Sequence, residues 1–227
     1  MENKIETLKG EELMLTYKIH HPENTDVKPG LILLLHGIGS NENHLFQLVD
    51  SLPEGFIIIS ARAPYTIGPG RYTWFELRHE SGKPIINAQQ AEKSRLVLNT
   101  FISQLIERYG IDDQKVYMGG FSQGGIMSYS VGLTFPHKLQ GIFILSSRLL
   151  PEVKPLIKAG PILQKLRVFI AHGTHDNVLP VSYAEEAILY LRELTPLIDY
   201  QEYDLAHEIG QDELADLKSW IEQADSC

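Results

Sequence analysis

Cysteine is almost missing from this chain: one, Cys227, stands at the last of 227 positions. A single thiol cannot close an internal disulfide, which fits a reducing cytoplasm. A thiol at a chain end also lacks the packed, polarised setting that a catalytic cysteine needs. Long apolar runs are missing too. The longest, Leu31 to Leu35, is strand-sized and far short of a membrane span, so stable membrane insertion is not expected. The opening Met-Glu-Asn-Lys-Ile-Glu has no basic stretch leading into an apolar one, so a secretory signal is not expected either. Positive charge is in deficit. The net charge is −9 with no basic stripe, which argues against nucleic acid or an anionic membrane surface as partner.

What is present is ordinary for a globular protein: 43% hydrophobic and 22% charged residues. The length supplies one substantial core and falls short of two typical domains, so residues 1–227 are expected to form a single domain. No repeat, low-complexity tract or composition shift marks a linker. Elements alternate instead. Leu13, Leu15, Tyr17 and Ile19 suggest a half-exposed edge strand, and Leu31–Leu35 is continuously apolar, as a central parallel strand should be. Asn41 is placed to cap a helix to about Leu52, and Phe56–Ser60 is the next strand. A long polar loop runs to about Asn87. Leu98, Phe101, Ile102, Leu105, Ile106 and Tyr109 then follow helical spacing, with Gly110 placed to end the helix. Further strands are read at Lys115–Met118, Gly141–Leu145, Val168–Ala171 and Ile198–Tyr203. Helices are read from Ile126 to Phe135, along Ala184–Leu191 up to Pro196, and along Leu214–Ile221. Strands separated by helices imply a mostly parallel central sheet with helices on both faces. In such folds ligands bind at the carboxyl ends of the strands.

One of those strand ends carries Gly120-Phe121-Ser122-Gln123-Gly124, the G-x-S-x-G sequence of a nucleophile elbow. A serine hydroxyl is a weak nucleophile unless a turn holds it out, a base takes its proton and N–H donors meet the developing oxyanion. The two glycines leave room for a strand to fold sharply onto a helix, with Ser122 at the tip and the Gln123 N–H beside it. Three more loops follow strands and should share that edge. His36-Gly37-Ile38-Gly39 can supply a second oxyanion donor. His172-Gly173-Thr174-His175-Asp176 offers Asp176 as the acid, and Asp204-Leu205-Ala206-His207 offers His207 as the base. The chain order Ser122, Asp176, His207 is that of the α/β-hydrolase triad.

Competing readings weigh less. His36 and His172 precede glycines at strand ends and are read as rings bonded to neighbouring backbone. His172, His175 and Asp176 do not suit a metal, because adjacent positions 175 and 176 diverge in an extended loop. Asp112 lies at the wrong end of the sheet, Asp199 lies in or before a strand, and Asp204 is the nearer rival to Asp176.

Gly119-Gly120-Phe121-Ser122-Gln123-Gly124-Gly125, His36-Gly37, His172-Gly173 with Asp176 and Pro180, and His207-Glu208-Ile209 together resemble the phospholipase/carboxylesterase family, which includes bacterial carboxylesterases and acyl-protein thioesterases. The resemblance spans roughly residues 30 to 220. It implies an α/β-hydrolase fold, a Ser-His-Asp hydrolase of esters or thioesters, backbone oxyanion donors at Ile38 and Gln123, and no metal or organic cofactor. It also admits a homodimer. Trp74-Phe75-Glu76 is similar to a Trp-Phe-Asp segment beside the family's acyl-binding cleft, which makes Trp74 and Phe75 expected substrate contacts. The chain departs from the family pattern at Glu76, at Ala206 where glycine is usual, and at Ser147-Arg148, where Arg148 brings a positive charge toward the cleft. The stretch from Leu149 to Leu166 is too short for a separate cap domain. The expected activity is that of a carboxylesterase favouring short to medium acyl chains, since Trp74, Phe75 and Ile38 are the apolar groups placed beside the cleft. Lysophospholipase and acyl-protein thioesterase are the rivals, with a non-catalytic ligand-binding protein further off.

Overall fold

A computed structural model of the chain describes residues 13–23, 27–80 and 83–224. Cys227 and the N-terminal hexapeptide lie outside the described residues. The strands are β1 (Tyr17–His20), β2 (Gly30–Leu35), β3 (Phe56–Ala61), β4 (Tyr65–Gly68), β5 (Arg71–Thr73), β6 (Leu77–Glu80), β7 (Lys83–Ile86), β8 (Val116–Phe121), β9 (Gly141–Leu145), β10 (Arg167–Gly173) and β11 (Ile198–Tyr203). The helices are α1 (Asn43–Phe46), α2 (Ala88–Tyr109), α3 (Gln123–Thr134), α4 (Ser182–Leu191) and α5 (Gln211–Ala224).

Seven strands form the central sheet in the order β1-β3-β2-β8-β9-β10-β11. Only the edge strand β1 runs antiparallel, pairing Tyr17 with Ala61 and His20 with Ile58. Every residue of β2 is buried because both faces of the sheet are covered. Strand periodicity of two then divides its side chains. Leu31, Leu33 and Leu35 join the core made with Leu98, Phe101 and Leu105 of α2, Met127 of α3 and Leu191 of α4. Ile32 and Leu34 join the opposite core, made with Leu45 of α1 and Leu217, Trp220 and Ile221 of α5.

The long helix α2 is bounded by the residues that chemistry favours. The Asn87 side chain accepts the Gln90 N–H at the start, and Gly110 adopts φ 62° at the end. Three elements differ from the sequence reading. The Asn41–Leu52 helix is broken into α1 and a 3₁₀ turn at Val49–Ser51; Asn41 accepts the Asn43 N–H, but the run behind it is too short to propagate. The loop to Asn87 holds two antiparallel hairpins, β4–β5 and β6–β7. Helix α4 stops at Leu191, ahead of Pro196. Between β9 and β10, two 3₁₀ turns, Lys154–Leu156 and Leu163–Lys165, are the only helical pieces, and no cap is built there.

The parallel strands β2, β8 and β10 all end at one edge of the sheet. In register, Leu35 lies opposite Gly120, and Phe121 lies opposite Leu145. Loops 36–40, 122–125, 146–148 and 174–179 therefore emerge side by side, and β11 delivers the 204–210 loop to the same edge.

Candidate active site

Ser122 sits between β8 and α3 at φ 54°, ψ −117°, a backbone conformation that L-residues rarely hold. The surroundings over-determine it. The Ser122 N–H donates to the Leu145 carbonyl at 2.9 Å, and the Ser122 carbonyl accepts the Ser147 hydroxyl at 2.7 Å. Glycine is required beneath the turn, because a Cβ at Gly124 would overlap the Leu35 carbonyl oxygen. The Ser122 side chain makes no cap bond to its helix. Its Oγ instead meets His207 Nε2 at 3.0 Å.

His207 Nδ1 donates to Asp176 Oδ2 at 2.6 Å. The Asp176 carboxylate is held from its other side, since Oδ1 accepts the Val178 and Leu179 N–H groups, each at 2.8 Å. Asp176 is 5% exposed, so its charge is shielded from water and its hydrogen bonds fix it in place. The His207 ring also packs on Phe121, with centroids 4.6 Å apart. Below it, a Cβ at Gly173 would overlap the Leu205 and Ala206 carbonyl oxygens, so the close seat of the histidine loop depends on that glycine. Ala206 occupies its position without a positive φ.

The rival acids and bases lie elsewhere. Asp204 is exposed and reaches His175 Nε2 at 2.7 Å, away from Ser122. Asp199 accepts the Trp220 indole N–H. His172 Nε2 donates to the Leu179 carbonyl at 2.7 Å and lies 3.4 Å from Asp176, bracing the acid loop. Among the described residues no three His, Cys, Asp or Glu side chains gather in a metal-holding group.

His36 organises the first loop. Its Nδ1 donates to the Gly37 carbonyl at 2.7 Å, and its Nε2 accepts the Ala63 N–H at 3.0 Å. Burial pushes the ring down to about 4, so this neutral tautomer persists well into acid. A trans peptide sets its N–H opposite its carbonyl. With the Gly37 carbonyl turned onto His36, the Ile38 N–H faces the other way. The loop is pinned from outside by β5: Gly39 N–H donates to Tyr72, and Tyr72 N–H donates to Ser40. The Gln123 N–H is the first of α3, and the first N–H groups of a helix have no intrahelical acceptor.

A cavity of about 310 Å³ opens beside Ser122 and Gln123. Phe75, Leu77, Pro84 and Ile126 line it from one side, and Val178, Leu179 and Tyr183 from another, with Ile38 and Arg148. This wall is richer than the sequence indicated: Val178 and Leu179 lie two and three residues after Asp176 and were findable there, whereas Leu77, Ile126 and Tyr183 come from three separate elements. Phe75 lies in the wall as expected, but Trp74 does not. Trp74 is wholly buried, its indole N–H donating to the His36 carbonyl at 2.9 Å and its carbonyl accepting the Ser94 hydroxyl at 2.6 Å. An indole wholly buried against the His36 carbonyl has no face left for substrate, so its expected substrate contact is corrected to a structural role. The side chain of Gln123, for which a supporting role at most is expected from the sequence, holds this segment. Its Oε1 accepts from Trp74 N–H and the Thr73 hydroxyl, each at 2.9 Å, and its Nε2 donates to the Phe75 carbonyl at 2.7 Å.

The profile of the Phospholipase/Carboxylesterase family matches residues 19–224. The chain belongs to that family. It is a hydrolase of the serine esterase kind, with the α/β-hydrolase fold. Among its relatives, a protein of Kluyveromyces lactis called acyl-protein thioesterase 1 is 25% identical over 209 residues, covering 86% of this chain and 91% of the relative. Among solved structures, a carboxylesterase of Bacillus cereus superposes with a TM-score of 0.78 at 22% identity, covering 93% of this chain and 95% of that one. The esterase PE8 superposes with a TM-score of 0.77 at 27% identity, covering 90% and 96%.

Proposed function

We propose that the chain hydrolyses carboxylic esters of short to medium acyl length through a serine acyl-enzyme. Ser122 is the nucleophile, His207 the general base, Asp176 its orienting acid, and the Ile38 and Gln123 N–H groups the oxyanion donors. The observation that carries this reading is the unbroken relay from Ser122 Oγ to His207 at 3.0 Å and from His207 to Asp176 at 2.6 Å.

His207 Nε2 takes the hydroxyl proton as Ser122 Oγ bonds to the substrate carbonyl carbon. Asp176, accepting the Nδ1 proton, keeps the required tautomer and stabilises the imidazolium. The carbonyl oxygen becomes an oxyanion between the two N–H donors, at the N-terminus of α3 where the helix dipole favours negative charge. As the oxyanion collapses, the bond to the leaving alcohol breaks and His207 returns its proton to that oxygen. Water then repeats the sequence on the acyl-enzyme and frees the acid. Every step uses these residues and water.

With no cap over the edge among the described residues, the cleft tolerates a bulky leaving group. The apolar wall of Phe75, Leu77, Ile126 and Leu179 takes the acyl chain, each buried methylene raising kcat/KM about fourfold until the cavity ends. A thioesterase is the second reading, favoured by the likeness to the acyl-protein thioesterase 1 of Kluyveromyces lactis. We read residues 1–227 as one α/β-hydrolase domain working in the cytoplasm, as a monomer or homodimer. No helix among the described residues is long and apolar enough to cross a membrane.

The test is kcat/KM across p-nitrophenyl esters from acetate to palmitate and a palmitoyl-peptide thioester, for wild type and Ser122→Ala, with fluorophosphonate labelling of both. The expected profile rises, levels at medium length and disappears in Ser122→Ala, which also resists the label. A profile still climbing at palmitate, or dominated by the thioester, overturns the short-ester reading. Near-normal turnover by Ser122→Ala overturns the nucleophile.

A further inference from the structure

Arg148 is the one charged side chain lining the cavity beside Ser122 among the described residues. Its guanidinium lies over the Tyr183 ring in a cation–π contact, 5.4 Å from the centroid. No carboxylate among the described residues pairs with it, in a chain whose net charge is −9. The cation–π contact holds the guanidinium beside the ring, and no acceptor among the described residues takes its N–H groups. The backbone that carries it is fixed as well. Ser146 holds φ 46°, its N–H donates to the Ala171 carbonyl at 2.9 Å, and the Ser147 hydroxyl ties the same corner to the Ser122 carbonyl. Arg148 is thus referenced to the nucleophile through a rigid, strained turn.

The cavity's position assigns the charge to one side of the substrate. Its wall includes Ser122 and Gln123 but not His207. A leaving group must depart beside His207, which protonates it, so the cavity on the other side receives the acyl group. A neutral acyl chain filling that space strips water from an unpaired guanidinium. An acyl chain ending in a carboxylate replaces the water with a charge-assisted, two-pronged hydrogen bond.

Building on the serine-esterase reading of this site, we propose that Arg148 is a specificity-determining residue selecting substrates whose acyl part carries a terminal carboxylate, that is, half-esters of short dicarboxylic acids. Arg148 contacts the acyl tail in ground state and transition state alike, so its effect belongs in KM more than in kcat.

The experiment compares monophenyl glutarate with phenyl valerate, which has the same carbon count and a methyl group in place of the carboxylate. Spontaneous hydrolysis is subtracted. A third ester, 4-sulfophenyl valerate, puts the anion on the leaving group. In Arg148→Gln the glutarate-to-valerate ratio of kcat/KM should fall about ten- to a hundredfold, the range for a hydrogen bond to a charged group, mostly through KM. Arg148→Lys should recover part of the ratio. In wild type the ratio should shrink from low to high salt, a readout that stands even if the variants fail to fold. A ratio unmoved by Arg148→Gln and by salt overturns the proposal, as does a loss confined to 4-sulfophenyl valerate, which would put the anion on the leaving side. Wild-type protein that hydrolyses phenyl valerate while showing no glutarate effect sinks this inference alone. Wild type inert on all three esters sinks the esterase reading beneath it.

Discussion

Gln123→Ala removes a side chain that carries three buried hydrogen bonds while leaving the backbone N–H proposed for the oxyanion in place. The losses are unequal. The Thr73 hydroxyl retains the Phe75 carbonyl at 2.6 Å, and that carbonyl thereby keeps a donor. The Trp74 N–H is left with no acceptor in a segment that is fully buried. One orphaned buried donor costs about 1–3 kcal/mol and the lost bonds about 1 more, so destabilisation of about 2–4 kcal/mol is expected. Urea unfolding followed by tryptophan fluorescence should show a lower midpoint at unchanged m. Kinetically, the freed segment carries Phe75, so KM for longer acyl chains should rise more than kcat for phenyl acetate falls. Gln123→Glu should also destabilise, since a carboxylate facing the Phe75 carbonyl offers it no donor. An unchanged midpoint, or a kcat for phenyl acetate as low as that of Ser122→Ala, would refute the clamp.

Asp176→Asn should cost about 10⁴ in kcat, as the equivalent change does in a serine protease, because Oδ1 is held by two N–H groups and the amide NH₂ must then face His207, forcing the wrong tautomer. Asp204→Asn should have little effect, since Asp204 only pairs with exposed His175; reversed severities in steady-state assays would make Asp204 the acid. Glu213, in the first turn of α5 and bonded to the Gly210 N–H, is raised by burial to about 7 from 4.5. Its folded form resists giving up a proton that the unfolded chain has already lost, so stability is lost as pH rises from about 4.5 through 7, by about 3 kcal/mol at 1.36 kcal/mol per unit. Glu213→Gln should therefore raise Tm at about pH 9 and leave it nearly unchanged at about pH 4.5; an equal shift at both pH values would contradict the buried-acid assignment.

Much of the fold and the relay was written locally. Leu31–Leu35 had to be a doubly covered strand, because an all-apolar run has no face to give to water. Asn87 and Gly110 bounded their helix through caps that act within a turn. Ser122, Asp176 and His207 could be read because each follows a strand, and parallel strands bring their carboxyl ends to one edge whatever lies between. The remainder depends on contacts between residues distant in sequence. Nothing near Trp74 distinguishes an indole facing substrate from one facing His36; the hydrogen bond to the His36 carbonyl decides it. Gln123 gains its clamp from residues 73–75, some fifty positions away, and the cavity wall joins Phe75, Ile126, Leu179 and Tyr183 from separate elements. Arg148 was visible as a charge near the cleft, but only packing shows it over the Tyr183 ring with no carboxylate partner among the described residues. Backbone propensity and periodicity act over a few residues and are legible in order along the chain. Side-chain direction at a site is set by which distant groups the fold brings within bonding reach, and that is decided only once the sheet has closed its strands together.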